Sequence, residues 1–146
     1  MADRAIYKRD YFRIDALLPM QANSISPDMS HKLQSRICEQ KELRPGVVNI
    51  SGGGISFKSI TEYTVGDTLE LFFTLIGLNP ITVCVYGKVL RVVTTAESHY
   101  QIYVKFVIIS DKMRDMIVSF VFLREREIIK NNQLAAYDND TVKSFL

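Results

Sequence analysis

Chemically reactive residues are scarce in this chain. Cysteine occurs twice, at Cys38 and Cys84, too few and too far apart for a disulfide framework or a metal-type pair. Reduced intracellular thiols are the expectation that follows. Histidine also occurs twice, as His31 and His99, each alone in a polar stretch, whereas a metal centre needs several converging ligands. There is no glycine-rich loop ending in Gly-Lys-Ser/Thr and no strand–GxGxxG–helix unit. No serine, threonine or cysteine has a recognisable base and orienting group nearby. Neither catalysis nor a metal or cofactor is therefore expected. An excess of one charge is missing too: 18 Lys and Arg stand against 16 Asp and Glu, a net +2. That balance is too small to argue by itself for a nucleic-acid polymer or a membrane surface as partner, and no nucleic-acid polymer is expected; a small anion held by a local basic cluster is left open. Long apolar runs are absent. The longest uncharged stretch, Leu71 to Gly87, is broken by Asn79-Pro80 and is shorter than the ~20 residues that span a bilayer. The opening Met-Ala-Asp-Arg lacks the apolar core of a signal peptide. A soluble cytoplasmic protein without a membrane span is expected.

What is present is enough for one globular domain: 146 residues, 47% hydrophobic and 23% charged. Residues 1–13 read as a flexible basic arm. Alternation then begins, with Ile14, Ala16, Leu18, Met20 and Ala22 on one face of a strand and Pro19 marking an edge or a bulge. Residues 24–45 read as a polar insertion with a thin helical stripe through Leu33 and Ile37, closed by a Pro45-Gly46 turn signal. Val48 and Ile50, then Ile55 and Phe57, read as a hairpin around Gly52-Gly53-Gly54, a tight turn open to left-handed backbone. Val65-Gly66-Asp67 is a further turn. Leu69, Leu71, Phe73 and Leu75 alternate with Thr68, Glu70, Phe72 and Thr74, and Ile81 to Val93 and Tyr100 to Phe106 complete the strand signals. About six short-spaced strands predict an antiparallel barrel or sandwich over 14–109.

The period changes at Ser110, where Ser110 or Asp111 can cap a helix over 110–130. Met113, Met116, Ile117, Phe120 and Val121 share one helical face, and Val118, Phe122 and Ile129 form a second apolar strip. That strip suits a second subunit, hence a homodimer through this helix, or ordinary isolated exposure. Residues 131–146 read as a polar tail.

Two short features carry chemistry. In Lys8-Arg9-Asp10-Tyr11-Phe12-Arg13 two arginines four apart stand where the arm meets the first strand. Planar guanidinium groups bond phosphate bidentately and stack on bases, although a solvated basic arm has the same composition. In Asn49-Ile50-Ser51-Gly52-Gly53-Gly54 the period of two puts Asn49 and Ser51 on one outward face. Their amide and hydroxyl suit a nucleobase edge, although an ordinary glycine hairpin would look the same.

In this order the pair resembles the PilZ domain family of bacterial cyclic di-GMP receptors, whose pattern is RxxxR followed by (D/N)xSxxG. Arg9 and Arg13 match the first motif; Asn49, Ser51 and Gly54 match the second. The likeness continues through Val65-Gly66-Asp67, Gly87-Lys88-Val89-Leu90-Arg91-Val92 and Val104-Lys105-Phe106 to the final helix, roughly Tyr7 to Lys130. The resemblance implies a six-stranded antiparallel PilZ-type β-barrel with a C-terminal α-helix. It implies that Arg9 and Arg13 contact phosphate and guanine, that Asn49 and Ser51 meet guanine from the barrel face, and that Gly54 keeps the turn tight. Lys8 is an added candidate for a second ligand molecule. Asn49 stands where many members carry Asp, which bears on affinity. The implied function is a cyclic di-GMP receptor that changes the conformation of its arm and signals to a separate downstream protein. The alternative is a PilZ-like interaction adaptor that does not bind nucleotide. A general nucleic-acid barrel would need a basic groove lined by aromatic platforms. Tyr63, Tyr86, Tyr100 and Tyr103 are present, but the charge is near balance.

Overall fold

The computed structural model describes residues 11–25, 43–77 and 79–144, with side chains as far as 133. Six strands run as β1 (Ile14–Ile25), β2 (Arg44–Ile50), β3 (Gly54–Ser59), β4 (Thr68–Leu75), β5 (Ile81–Ala96) and β6 (His99–Ile108), followed by helix α1 (Asp111–Ser144). All pairings are antiparallel and the sheet closes in the order β1-β2-β3-β6-β5-β4. Closure depends on β1. Its first half pairs with β2, from Ile14↔Ile50 to Met20↔Arg44, and its second half with β4, from Met20↔Phe73 to Ile25↔Thr68. Pro19 sits opposite Pro45 near the change of partner, where missing N–H groups cost least.

The inward row of each strand builds one core. Leu18, Ile50, Ile55, Leu71, Phe73, Val85 and Ile102 are fully or almost fully buried in it. Phe73 and Phe106 stack with ring centroids 6.2 Å apart. The Val65-Gly66-Asp67 turn forms as expected, with Gly66 at φ 94°, its N–H donating to the Val89 carbonyl at 2.8 Å.

Three expectations from alternation are corrected. Pro45-Gly46 does not form a turn but lies within β2, and β1 runs on through Asn23, Ser24 and Ile25. Both strands must be long enough to close the barrel, so pairing overrides the local turn chemistry. The helical reading within residues 24–45 falls mostly outside the described residues. Second, Glu70 and Phe72 point away from the core yet are buried, Glu70 completely. The Tyr86 hydroxyl donates to Glu70 Oε2 at 3.0 Å and Asn23 Nδ2 to Oε1 at 3.4 Å. Ile25 and Tyr86 pack there as a small second cluster with Cys84 and Ile108. Third, the helix does not stop near Lys130 but continues to Ser144. No glycine or proline follows Gly87, so nothing punctuates the chain, and Gln133-Leu134-Ala135-Ala136 are good helix formers.

The Ser110 hydroxyl accepts the Met113 N–H at 3.1 Å, which makes Ser110 the N-cap, with Asp111 in the first turn. Ile117 and Val121, one turn apart, enter the core, and Met113, Met116 and Phe120 pack beside them. From Phe122 to Gln133 every side chain but Glu125 is exposed. Among the described residues no helix is long and apolar enough to cross a membrane. Ser110→Ala is expected to lower stability by ~1 kcal/mol. Denaturant unfolding would show it as a lower midpoint at unchanged slope.

Candidate functional site

The chain enters β1 through Tyr11, Phe12 and Arg13, over the end of the barrel where β2 turns into β3. Arg13 is exposed, and its Nη1 donates to Asn49 Oδ1 at 3.1 Å. Asn49 Nδ2 in turn donates to Asp15 Oδ1 at 2.9 Å. Asp15 and Asn49 are register partners, so the three polar groups share the outer face of the β1–β2 pair. One guanidinium, one amide and one carboxylate are thus held in a line. Asn49 uses both halves of its amide, accepting from the cation and donating to the anion.

Ser51 is placed differently from its expected outward position. β2 ends at Ile50, and Ser51 is buried in the turn. Its N–H donates to the Gly54 carbonyl at 2.9 Å. Its hydroxyl accepts the Gly53 N–H at 3.2 Å and lies 3.4 Å from the Gly54 carbonyl, to which it donates. The serine staples the β2–β3 turn.

The turn glycines serve close approach, and not the left-handed backbone expected at Gly52-Gly53-Gly54. Among the described residues the one glycine with positive φ is Gly66. Gly54 is the first residue of β3, and a Cβ there would collide with the Val104 carbonyl of β6. A Cβ on Gly52 would come within 2.7 Å of Val118 Cγ2 and 2.9 Å of Tyr11 Cδ1. The bare backbone lets the Tyr11 ring and the helix press against the turn.

That contact was not legible in the motif. Arg114 Nε donates to the Gly52 carbonyl at 3.2 Å, and its guanidinium lies 5.7 Å from the centre of the Tyr11 ring. Phe12 meets Phe122 edge to face, with centroids 5.3 Å apart. The residues flanking Arg13 are therefore fastened to α1, and the turn is fastened to the same helix. The two aromatics between the motif arginines were the available signal. Arg114 gave none, because its partner lies 62 positions away. The structure thus brings Arg13, Asn49, Ser51 and Gly54 to one end of the barrel. Arg9 and Lys8 lie outside the described residues. Among the described residues no group of three His, Cys, Asp or Glu side chains could hold a metal ion.

A closed six-stranded antiparallel barrel with one long C-terminal helix, and a polar motif on its outer face at the hairpin, define the class of fold. The model of the PilZ domain matches residues 7–123, and the chain belongs to that family. Solved structures agree on the fold. The Bacillus subtilis inhibitor of motility MotI/DgrA aligns with TM-score 0.62 at 18% identity, covering 82% of this chain and 52% of that one. A Xanthomonas campestris PilZ protein, described as a tetramer self-assembled through a helical bundle, aligns with TM-score 0.62 at 15% identity, covering 82% of this chain and 91% of that one. Escherichia coli YcgR, solved in complex with c-di-GMP, aligns with TM-score 0.61 at 14% identity, covering 88% of this chain and 50% of that one. The chain thus spans about half the length of MotI/DgrA and YcgR. No curated protein matches it.

Two glycine substitutions separate close approach from mere flexibility. Gly54→Ala must push against backbone and is expected to cost ~2–3 kcal/mol. Gly77→Ala, with nothing within 4 Å of its added methyl, is expected to leave the melting temperature nearly unchanged.

Proposed function

We propose that this protein is a cyclic di-GMP receptor that signals through its N-terminal arm and helix α1. The observation that carries the reading is the Arg13–Asn49 hydrogen bond, which joins the two halves of the motif on one surface. Arg13, with Arg9 and Lys8 from the arm, supplies cations for a ligand bearing two phosphates. The Arg13 fork also matches the O6/N7 edge of guanine, as arginine does in DNA readout. Asn49 supplies an adjustable acceptor and donor from the barrel face. Ser51 and Gly54 hold the turn on which the ligand rests, and Ser51 acts there through the backbone unless binding opens the turn.

The signalling step follows from what flanks Arg13. Moving Arg13 from Asn49 to a phosphate shifts Tyr11 and Phe12, which lie on Arg114 and Phe122 of α1. The arm changes conformation, and a partner protein reads the change at the helix. The nucleotide-independent adaptor remains the alternative class.

A second property concerns the helix itself. Phe122, Leu123, Ile128 and Ile129 are exposed large apolar residues beyond the part of α1 that enters the core. The helical-bundle tetramer of the Xanthomonas campestris relative supports self-association through this region.

Isothermal titration with cyclic di-GMP tests the receptor reading, with GTP and cyclic di-AMP as controls. Selective binding at micromolar affinity or tighter, about −8 kcal/mol or more favourable, is expected. Arg9→Ala and Arg13→Ala should each weaken binding by more than about tenfold, as loss of a charge-assisted contact requires. Their unliganded melting temperatures should stay near wild type. Silence from a folded wild-type sample would favour the adaptor. For the helix, sedimentation equilibrium should show association that Phe122→Glu with Ile129→Glu abolishes; a wild type monomeric at all loadings would overturn self-association.

A further inference from the structure

The outer face of the barrel carries more than the two motifs. The register continues the motif row across the sheet: Asp15 faces Asn49, Asn49 faces Ser56, Ser56 faces Tyr103, and Tyr103 faces Arg91. With neighbouring strands ~4.8 Å apart, Tyr103 lies about 10 Å from Asn49 along this row. Ser56 is buried and accepts a hydrogen bond from Gln101 Nε2 at 3.2 Å, so the middle of the row is low and flat. At its far end the Arg91 guanidinium lies over the Tyr103 ring, 4.1 Å from the ring centre.

A bulge puts Arg91 there. Val89 pairs with Val104 and Arg91 with Tyr103, so Leu90 is the extra residue of β5. Without it, Leu90 would face Tyr103 and Arg91 would point into the core, because a slip of one residue exchanges the two faces. Bulges commonly re-aim a side chain in this way beside binding sites.

The next row on the same face is also unusual. Gly54 faces Lys105, and Lys105 faces Lys88. Both lysines are exposed. Like charges directly opposite each other across a strand pair are unfavourable. None of the described register partners of Arg91, Tyr103, Lys105 and Lys88 is acidic. An anion over the two lysines reverses the sign of that interaction.

We propose that Arg91 and Tyr103 form a stacking platform for a purine base and that Lys88 and Lys105 hold the adjoining phosphate. Together they make a second subsite on the barrel face beside the motif. This deepens the receptor reading above and rests on it: the subsite takes the half of the cyclic dinucleotide farther from Arg13 and Asn49. The planar guanidinium and the aromatic ring below it accept a base by stacking, which needs no particular base edge.

Titration calorimetry with cyclic di-GMP at low salt tests this on the full chain. Arg91→Ala is expected to weaken binding about tenfold, the scale of one lost base-stacking contact. The double variant Lys88→Gln with Lys105→Gln should weaken binding by a similar factor and flatten its salt dependence, while raising the melting temperature of the unliganded protein. A merely structural role for the lysines would not couple a gain in stability to a loss of affinity. Tyr103→Trp gives an independent readout, because the chain has no tryptophan of its own. The indole emission of this variant should change saturably with ligand, in step with the heat. Wild-type affinity in both the arginine and the lysine variants, with an indole signal that ligand leaves unchanged, overturns the subsite alone. A wild type that binds no cyclic di-GMP overturns both the subsite and the receptor reading.

Discussion

Closure of the sheet by β1 is the constraint on which the rest depends. A strand that pairs with β2 over one half and β4 over the other fixes the register all round, because each strand then has two neighbours. Closure also removes the open edges on which another chain could pair. Once the register is fixed, parity assigns most strand residues to one face or the other. One row fills the core, and the opposite row becomes a surface on which side chains from five strands can be aligned. The polar line from Asp15 to Arg91 crosses five strands, and its last step runs through the register shift at Leu90.

The second dependency is the bare backbone at the β2–β3 turn. Three elements meet there: β6 presses on Gly54, and Tyr11 and the helix press on Gly52. Ser51 and Arg114 convert this crowding into hydrogen bonds, one within the turn and one from the helix. Tyr11, Phe12, the turn and α1 are therefore packed together. Arg13 lies within two residues of aromatic contacts on the helix, so the signalling step proposed above needs no long pathway from the outer face to α1.

Much of this was legible from residue order, and the exceptions share a cause. The six strands, the Ser110 cap and the Ile117–Val121 face followed from periods of two and about 3.6. The motif residues followed from a family resemblance that the family model supports over residues 7–123. What misled was local chemistry overruled by closure. Pro45-Gly46 carries a turn signal, yet β2 needs those residues to pair with Leu18 and Pro19. Glu70 lies on the outward row of β4, yet Tyr86 and Asn23 bond it in a buried place. The burial of Ser51 and the contacts of Arg114 are tertiary, and no spacing announces them. Arg91 shows the limit most clearly. Simple alternation sends it inward, and only the bulge at Leu90 turns it out.

The register also accounts for the amide at position 49, where the family pattern allows aspartate or asparagine. Asp15 lies directly across the strand pair. A carboxylate at position 49 would face a second carboxylate, an unfavourable arrangement on a shared face. Asparagine removes that repulsion, donating to Asp15 while accepting from Arg13. The choice has a consequence for exchange. An exposed hydrogen bond from Arg13 to a neutral amide contributes little net stability, since water replaces it readily. A carboxylate partner would add charge to that contact and hold Arg13 more firmly. With asparagine the guanidinium is positioned beside the barrel face but weakly held, and a phosphate, carrying full charge and suited to the arginine fork, is the stronger partner. The same asparagine that relieves the strand pair leaves Arg13 weakly held, as the proposed exchange to a phosphate requires.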